Sequence, residues 1–284
     1  DNDYVATSGT LNWAHGQGGD QCFNVTINGD TNDEPTETIN TTLSSATGGV
    51  TIAQSGHIIN VINDDGPGAA LDFDGVDDYV TVPSDPAVHP TTAITIETWV
   101  KPAAAQNYLF ARIADNESVQ LLVTGSNNFR FQVFTTTGAG SVDAPFTPGS
   151  WYHVAGTYDG AMMRIYLNGS LVASSARTGT ITASTQPLLL GFGYDPQYGN
   201  FQMDEFRLWD RALCEAEIDA QMSCELSGSE SGLAAYYKFN QGTAGANNAG
   251  VTSAIDTAGG DNNETLTNFA LTGATSNWVA PGGV

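Results

Sequence analysis

Positive charge is what this sequence most lacks. Eight Lys and Arg stand against 31 Asp and Glu, a formal net charge of −23. The bases are not clustered, so neither nucleic acid nor an anionic membrane surface is an expected partner; both need grouped Lys and Arg. Cysteine is scarce too, at three. Cys214 and Cys224 flank a short segment of helical character, LCEAEIDAQMSCEL, and Cys22 is left over. A local Cys214–Cys224 disulfide is expected of an extracellular chain, with two free buried thiols as the alternative. Zinc needs Cys or His at close spacing, and the four His at 15, 57, 89 and 153 are scattered. No apolar run approaches the length that spans a bilayer, so membrane insertion is not expected. No signal-peptide pattern is present, and the chain opens at Asp1-Asn2-Asp3 without Met. It reads as an excised or processed piece of something longer. Long helical periodicity is almost missing as well.

Glycine, at 32, and frequent Thr, Ser and Asn are what fill the chain. With 284 residues there is room for one large domain or two smaller ones. Short alternating apolar runs between turn residues point to an all-β protein. The excess acid has two readings. One is plain solubility; the other is divalent cation binding where acids cluster on turns.

The stretch Trp151–Ser170, WYHVAGTYDGAMMRIYLNGS, organises the rest. It predicts two strands joined at Asp159-Gly160, since Gly tolerates the positive φ of a hairpin turn. Met163, Ile165 and Leu167 alternate with Met162, Arg164 and Tyr166, one face apolar, as in a two-layer packing. The pattern resembles the central hairpin of laminin-G-like (concanavalin A-like) jelly-roll domains. LDFDGVDDYV at 71–80, ITIETWVKP at 94–102 and FQMDEFRLW at 201–209 resemble other motifs of that family, in order. RALCEAEI matches the short helix that often follows. The resemblance implies a jelly-roll domain over 69–226.

Residues 3–65 resemble the second half of a Calx-beta domain, on D-Y…S-G-T-L, VTINGDTNDEPTET and the closing INDD. The first strands of such a domain are missing, which leaves an open edge. The expected organisation is a partial Calx-beta-like domain at 1–65, a linker at 66–68, the jelly roll at 69–226 and a C-terminal segment at 227–284. That segment, with LAAYYKF at 233–239, resembles what usually precedes L-x-F-D-G, but here it follows. It completes the jelly roll in permuted order, or it begins another copy.

The resemblances also imply calcium. In the Calx-beta part the candidate ligands are Asp3, Asp30, Glu34, Glu37, Asp64 and Asp65, with the Asn32 carbonyl. In the jelly roll they are Asp74, Asp77 and Asp78 with Asp204 or Glu205. Calcium takes six to eight oxygen ligands, and turns can converge them; the plainer readings are an acidic loop and an Asp-Gly turn. A ligand site is expected on the loop 193–200, where Tyr194 and Tyr198 offer stacking faces and Asp195 and Asn200 hydrogen bonds. The alternative is a loop that packs on a neighbouring domain. Arg112 and Arg130 are expected to pair with nearby carboxylates, with binding of an acidic sugar as the alternative.

Related jelly rolls host glucanases, which place two carboxylates on one strand face in an E-I-D-x-x-E motif. Glu217-Ile218-Asp219 lacks the second Glu, because Met222 follows Gln221 there, and it falls on the helix. Asp204 and Glu205 are adjacent, so an ordinary strand points them to opposite faces. No enzyme is expected. The leading reading is a calcium-supported, non-catalytic module of a large secreted or surface-anchored bacterial adhesin, binding a glycan or surface polymer beside neighbouring domains of the same protein. The alternatives are a structural stalk or filament module and an accessory part of a carbohydrate-active enzyme.

Overall fold

The computed structural model describes residues 4–16, 23–27, 37–49, 51–53, 55–61, 68–103, 108–113, 118–193, 197–259 and 263–282. The chain divides into two compact units, Asp1–Gly66 and Pro67–Val284.

In the first unit β1 (Tyr4–Val5) pairs with β2 (Thr26–Ile27), and β3 (Glu37–Thr42) pairs with β4 (Gly56–Val61), both antiparallel. Ile39 is the one buried hydrophobic among the described residues of this unit. Trp13, Phe23, Ile27, Leu43 and Ile58 are exposed. The described strands therefore close no core of their own.

The second unit opens with β5 (Ala70–Asp74), β6 (Tyr79–Val82), β7 (Ile94–Pro102) and β8 (Tyr108–Ile113). Next come β9 (Val119–Thr124), β10 (Asn128–Thr135), β11 (Gly138–Pro145), β12 (Tyr152–Tyr158), β13 (Met162–Leu167) and β14 (Ser170–Ala176). They are followed by β15 (Leu188–Leu190), β16 (Asn200–Trp209), helix α1 (Glu215–Gln221), β17 (Leu233–Tyr237), β18 (Ser253–Ala254), β19 (Glu264–Thr267) and β20 (Trp278–Val279). Two eight-stranded antiparallel sheets result. One runs β11-β10-β9-β8-β15-β6-β19-β18; the other runs β14-β13-β12-β7-β16-β5-β20, with β17 also on β16.

The alternation read from the sequence sets which side chains face inward. In β10, Phe129, Phe131 and Val133 are fully buried while Arg130 and Gln132 are partly exposed. Aromatic rings fill the space between sheets: Phe73 stacks on Phe201 at 4.5 Å, and Phe110 meets Phe201 edge-on at 4.8 Å. Arg130 forms a two-bonded pair with Asp143 across the β10–β11 ladder, at 2.7 and 2.8 Å. Arg112 lies over the Phe192 ring at 5.3 Å. The hairpin β12–β13 turns at Asp159, whose Oδ1 accepts from the Ala161 and Met162 amides.

Residues after 227 supply strands to both sheets. Phe206 faces Tyr237, Leu266 faces Val80, and Trp278 faces Leu71. Trp278 is fully buried and donates from Nε1 to the Phe239 carbonyl at 2.8 Å.

The expected Cys214–Cys224 disulfide is not formed: both thiols are free. Cys214 caps the start of α1, where its amide donates to Glu217 Oε2 at 2.8 Å, and Cys224 lies beyond the helix end. The seven-residue helix between them rises roughly 10 Å. A disulfide needs Cα atoms within about 7 Å. The sulfur of Cys224 instead donates to the Gln221 carbonyl, at 3.6 Å.

Gly156 of β12 leaves room for the Phe131 ring of the facing sheet. A Cβ placed on it would lie 2.2 Å from the Phe131 ring. Gly156→Ala should therefore destabilise the domain by about 1–3 kcal/mol through overpacking. Urea unfolding of the variant checks this, and an unchanged midpoint would mean that Phe131 can yield.

Candidate cation site and the lectin-like face

The connection from β5 to β6, Asp74 to Asp78, is a tight acidic turn. Gly75 has φ +80°, and a Cβ there would sit 2.8 Å from the Asn200 Cβ, so both backbone and space require glycine. Asp74 Oδ1 accepts from the Val76 amide at 2.8 Å, and Asp78 Oδ2 accepts from the Asp74 amide at 3.0 Å. The turn gathers one carboxylate oxygen each from Asp74, Asp77 and Asp78 within 4.8 Å of one another. Neighbouring strands brace it. Asn200 Nδ2 donates to the Asp74 carbonyl at 2.9 Å, and Ser276 Oγ donates to Asp78 Oδ1 at 2.9 Å.

Asp78 has no exposed surface. Burial raises its carboxyl to about 6, and the like charges of Asp74 and Asp77 push the same way against two hydrogen bonds. None of the ion pairs among the described residues includes these three acids. Three converging carboxylates without a basic partner fit a hard divalent cation with oxygen ligands, such as calcium.

The sign of the pH effect follows. Folded Asp78 holds its proton up to about pH 6, while an unfolded Asp releases it near its usual 3.8. In chelator, then, the contribution of Asp78 to stability is fully present below that usual value and is lost as pH rises to about 6. Thermal unfolding from pH 4 to 7 in chelator should show a steeper decline in the wild type than in Asp78→Asn, whose other buried carboxyls still titrate. Identical pH profiles would contradict it.

Asp204 and Glu205 do not join this turn. β16 is bulged against β7 between Asp204 and Arg207, and Glu205 has φ +50°. Met203 and Phe206 both enter the core, so the two acids between them lie on the outer side of the sheet, against the strict alternation expected of a strand. There α1 and the turn after it cover them. Glu205 Oε2 accepts from Arg207 Nη2 at 2.6 Å and from the Tyr236 hydroxyl at 2.5 Å. Asp204 Oδ2 accepts from the Gly282 amide at 3.1 Å; burial, then Glu205, raises its carboxyl to about 8.

Arg207 is the hub of this covered face. Its guanidinium donates to the Gln221 and Cys224 carbonyls at 2.8 and 2.6 Å, so a cation occupies the C-terminal end of α1. It also lies 3.8 Å from Glu97, which accepts from Trp209 Nε1 at 2.9 Å. Burial opposes the charge of Arg207, but Glu97 and Glu205 hold its proton more firmly than usual. His153, 3.6 Å from Glu97, is driven down to about 3 by burial and by Arg207, and so is neutral. Sequence reading missed Glu97, His153 and Arg207 as a group; the signal was a charge inside each of two apolar strands, ITIETWV and EFRLW. Arg207→Leu would strand two buried carboxylates and should cost about 3–5 kcal/mol. A loss below about 1 kcal/mol in urea unfolding would show that the pair is not the hub.

Of the loop expected to bind ligand, Tyr198 packs against Phe192 at 5.3 Å between ring centres, and Asn200 serves the acidic turn. Tyr194 and Asp195 lie outside the described residues, as do Asp3, Asp30, Asn32, Glu34, Asp64 and Asp65. Glu37 opens β3, and its side chain is outside the described set. Glu217 is held by Arg211 at 2.7 Å on α1.

Residues 74–219 match the Laminin_G_3 family, described as the concanavalin A-like lectin/glucanases superfamily. The match spans half of the chain, and the chain belongs to that superfamily. A stretch of 82 residues, 27% of the chain, is 38% identical to pappalysin-1 of Mus musculus. Over 83 residues the identity to pappalysin-1 of Homo sapiens is 34%. Each alignment covers 5% of the pappalysin, so the chain spans a small part of these relatives. The solved structure of a candidate carbohydrate-binding protein from Bacteroides ovatus ATCC 8483 superposes with a TM-score of 0.57 at 19% identity, over 82% of this chain and 67% of that one. That likeness shows the shared fold. The domain thus resembles the lectin-type modules of that superfamily. No helix among the described residues is long and apolar enough to cross a membrane.

Proposed function

We propose that this chain is a calcium-supported, glycan-binding module of a larger extracellular protein, secreted or held at a cell surface, of the adhesin type. The observation that carries the reading is the acidic turn Asp74, Asp77 and Asp78 at the head of a concanavalin A-like lectin domain. Asp74, Asp77 and Asp78 would hold the ion. Asn200 and Ser276, which hydrogen-bond the turn, would keep it in place. The ion supplies positive charge, which in lectin chemistry either fixes a loop or takes sugar hydroxyls directly. The ligand itself meets the loop around Tyr198, whose neighbours Tyr194 and Asp195 add a stacking face and an acceptor. The first unit is a Calx-beta portion whose acids Asp3, Asp30, Glu34, Glu37, Asp64 and Asp65, with the Asn32 carbonyl, hold further calcium. Its exposed Phe23, Ile27 and Ile58 suit packing against neighbouring domains of the same protein.

A glycan array probed with the whole chain, in calcium and again in chelator, tests the reading. Binding to a defined class of sugars that disappears in chelator is the expected outcome. Silence from a folded, calcium-loaded sample would overturn the glycan part and leave a structural module. Binding indifferent to chelator would overturn the role of calcium.

A further inference from the structure

Behind the Asp74 turn, the outer face of the sheet continues as a polar row. Phe201 and Met203 of β16 enter the core, so Asn200 and Gln202, which alternate with them, face outward. Asn200 lies opposite Asp74. One step further from the turn, Gln202 lies opposite Asp72 on one side and Lys101 on the other. Across three neighbouring strands the order is acid, amide, cation. Gly282 bounds the row on the side away from the turn: its amide bonds Asp204, and a Cβ on it would lie 2.0 Å from the Trp151 ring.

The acid of this row is fully engaged. Asp72 is 9% exposed, and its Oδ1 accepts from Gln202 Nε2 and its Oδ2 from the Ser276 amide, each at 3.0 Å. The first bond turns the Gln202 nitrogen toward β5 and leaves its Oε1 as an acceptor. Lys101 is partly exposed and is separated from Asp72 by the width of β16. None of the ion pairs among the described residues includes it. Other partly exposed bases do hold acids: Arg130 holds Asp143, Arg164 holds Asp159, Arg211 holds Glu217 and Lys238 holds Glu225. With 31 acids in the chain and eight Lys and Arg, an ammonium kept apart from carboxylates, next to an amide fixed in one orientation, suits an anion from outside. Two strand spacings and one two-residue step put Lys101 roughly 12 Å from Asp74, within the span of a short saccharide. The net charge of −23 opposes an anion at long range. Salt screens exposed charges beyond about 8 Å, so at contact range the local groups decide.

We propose that Lys101 and Gln202 form a subsite for the anionic group of an acidic saccharide, a carboxylate or a sulfate ester, on the sheet face beside the Asp74 turn. Lys101 Nζ donates to the anion, and Gln202 Oε1 accepts from a neighbouring sugar hydroxyl. The inference rests on the glycan-binding reading and adds to it the class of sugar.

The chain has two lysines, Lys101 and Lys238, so the site can be read directly. The whole chain is reductively methylated alone and with oligogalacturonate, a sulfated galactan oligomer or a neutral galactan oligomer, and both lysines are followed by mass spectrometry. Lys101 should be protected by an acidic oligomer and not by the neutral one, with Lys238, held by Glu225, as the internal reference. The oligomer that protects at the lower concentration identifies the anion as carboxylate or sulfate. In calorimetry Lys101→Gln should bind that oligomer about tenfold more weakly or worse. Arg164→Gln removes the same charge elsewhere and should bind it as the wild type does. Lys101 equally reactive with and without the acidic oligomers, or Lys101→Gln binding them as tightly as the wild type, overturns this inference; the glycan reading survives that result if the folded chain binds neutral sugars on the array. A folded chain that binds no saccharide overturns both.

Discussion

A shortage of cations inside a heavily acidic protein is the constraint behind this structure. The chain carries 31 acids and eight Lys and Arg, yet Asp78, Glu97, Asp204, Glu205 and Glu264 are all buried. Burial raises every one of these carboxyls above its ordinary range. One guanidinium, Arg207, answers for Glu97 and Glu205 together, and it also closes the carbonyl end of α1. Beside the bond from Trp99 Nε1 to the Met222 carbonyl, this side chain thus ties down the cover over the outer face of that sheet. Trp209, Tyr236 and Ile218 pack around it as a second, smaller core. Among the described residues the Asp74 turn has no such partner, and its three acids could hold a cation from solution.

The same economy explains how the ends of the domain are tied. Ser276 joins Asp78 through its hydroxyl and Asp72 through its amide, so the loop before β20 is bonded both to the opening strand and to the far end of the acidic turn. Asn277 bonds the Ala246 and Gly273 carbonyls and accepts from Asn248. Neutral amides and hydroxyls do here what ion pairs do in a chain with more bases. A network of neutral hydrogen bonds keeps its strength as salt rises, whereas exposed ion pairs do not.

Much of this was legible in the sequence. The hairpin WYHVAGTYDGAMMRIYL appears as β12 and β13, because its alternation and its Asp-Gly turn are local signals. The acidic turn was legible for the same reason: Asp74, Asp77 and Asp78 meet within five residues. What was not legible depends on distant partners. Glu97 and Trp209 meet across 112 positions, and no local pattern announces that. The bulge at Asp204 and Glu205 breaks an alternation that the residues themselves support. The Cys214–Cys224 pairing failed because spacing ignores direction: a helix between two cysteines holds them apart. Glu264 reads as one more surface acid in DNNETL until its ladder turns it inward.

The claim at the centre of this account is that cations from solution complete the acid-rich fold. Anomalous diffraction from crystals grown with terbium in place of calcium tests it most directly. The account predicts a peak among the carboxylate oxygens of Asp74, Asp77 and Asp78. An ordered turn in those crystals with no anomalous peak, at ion concentrations in the millimolar range, would contradict it.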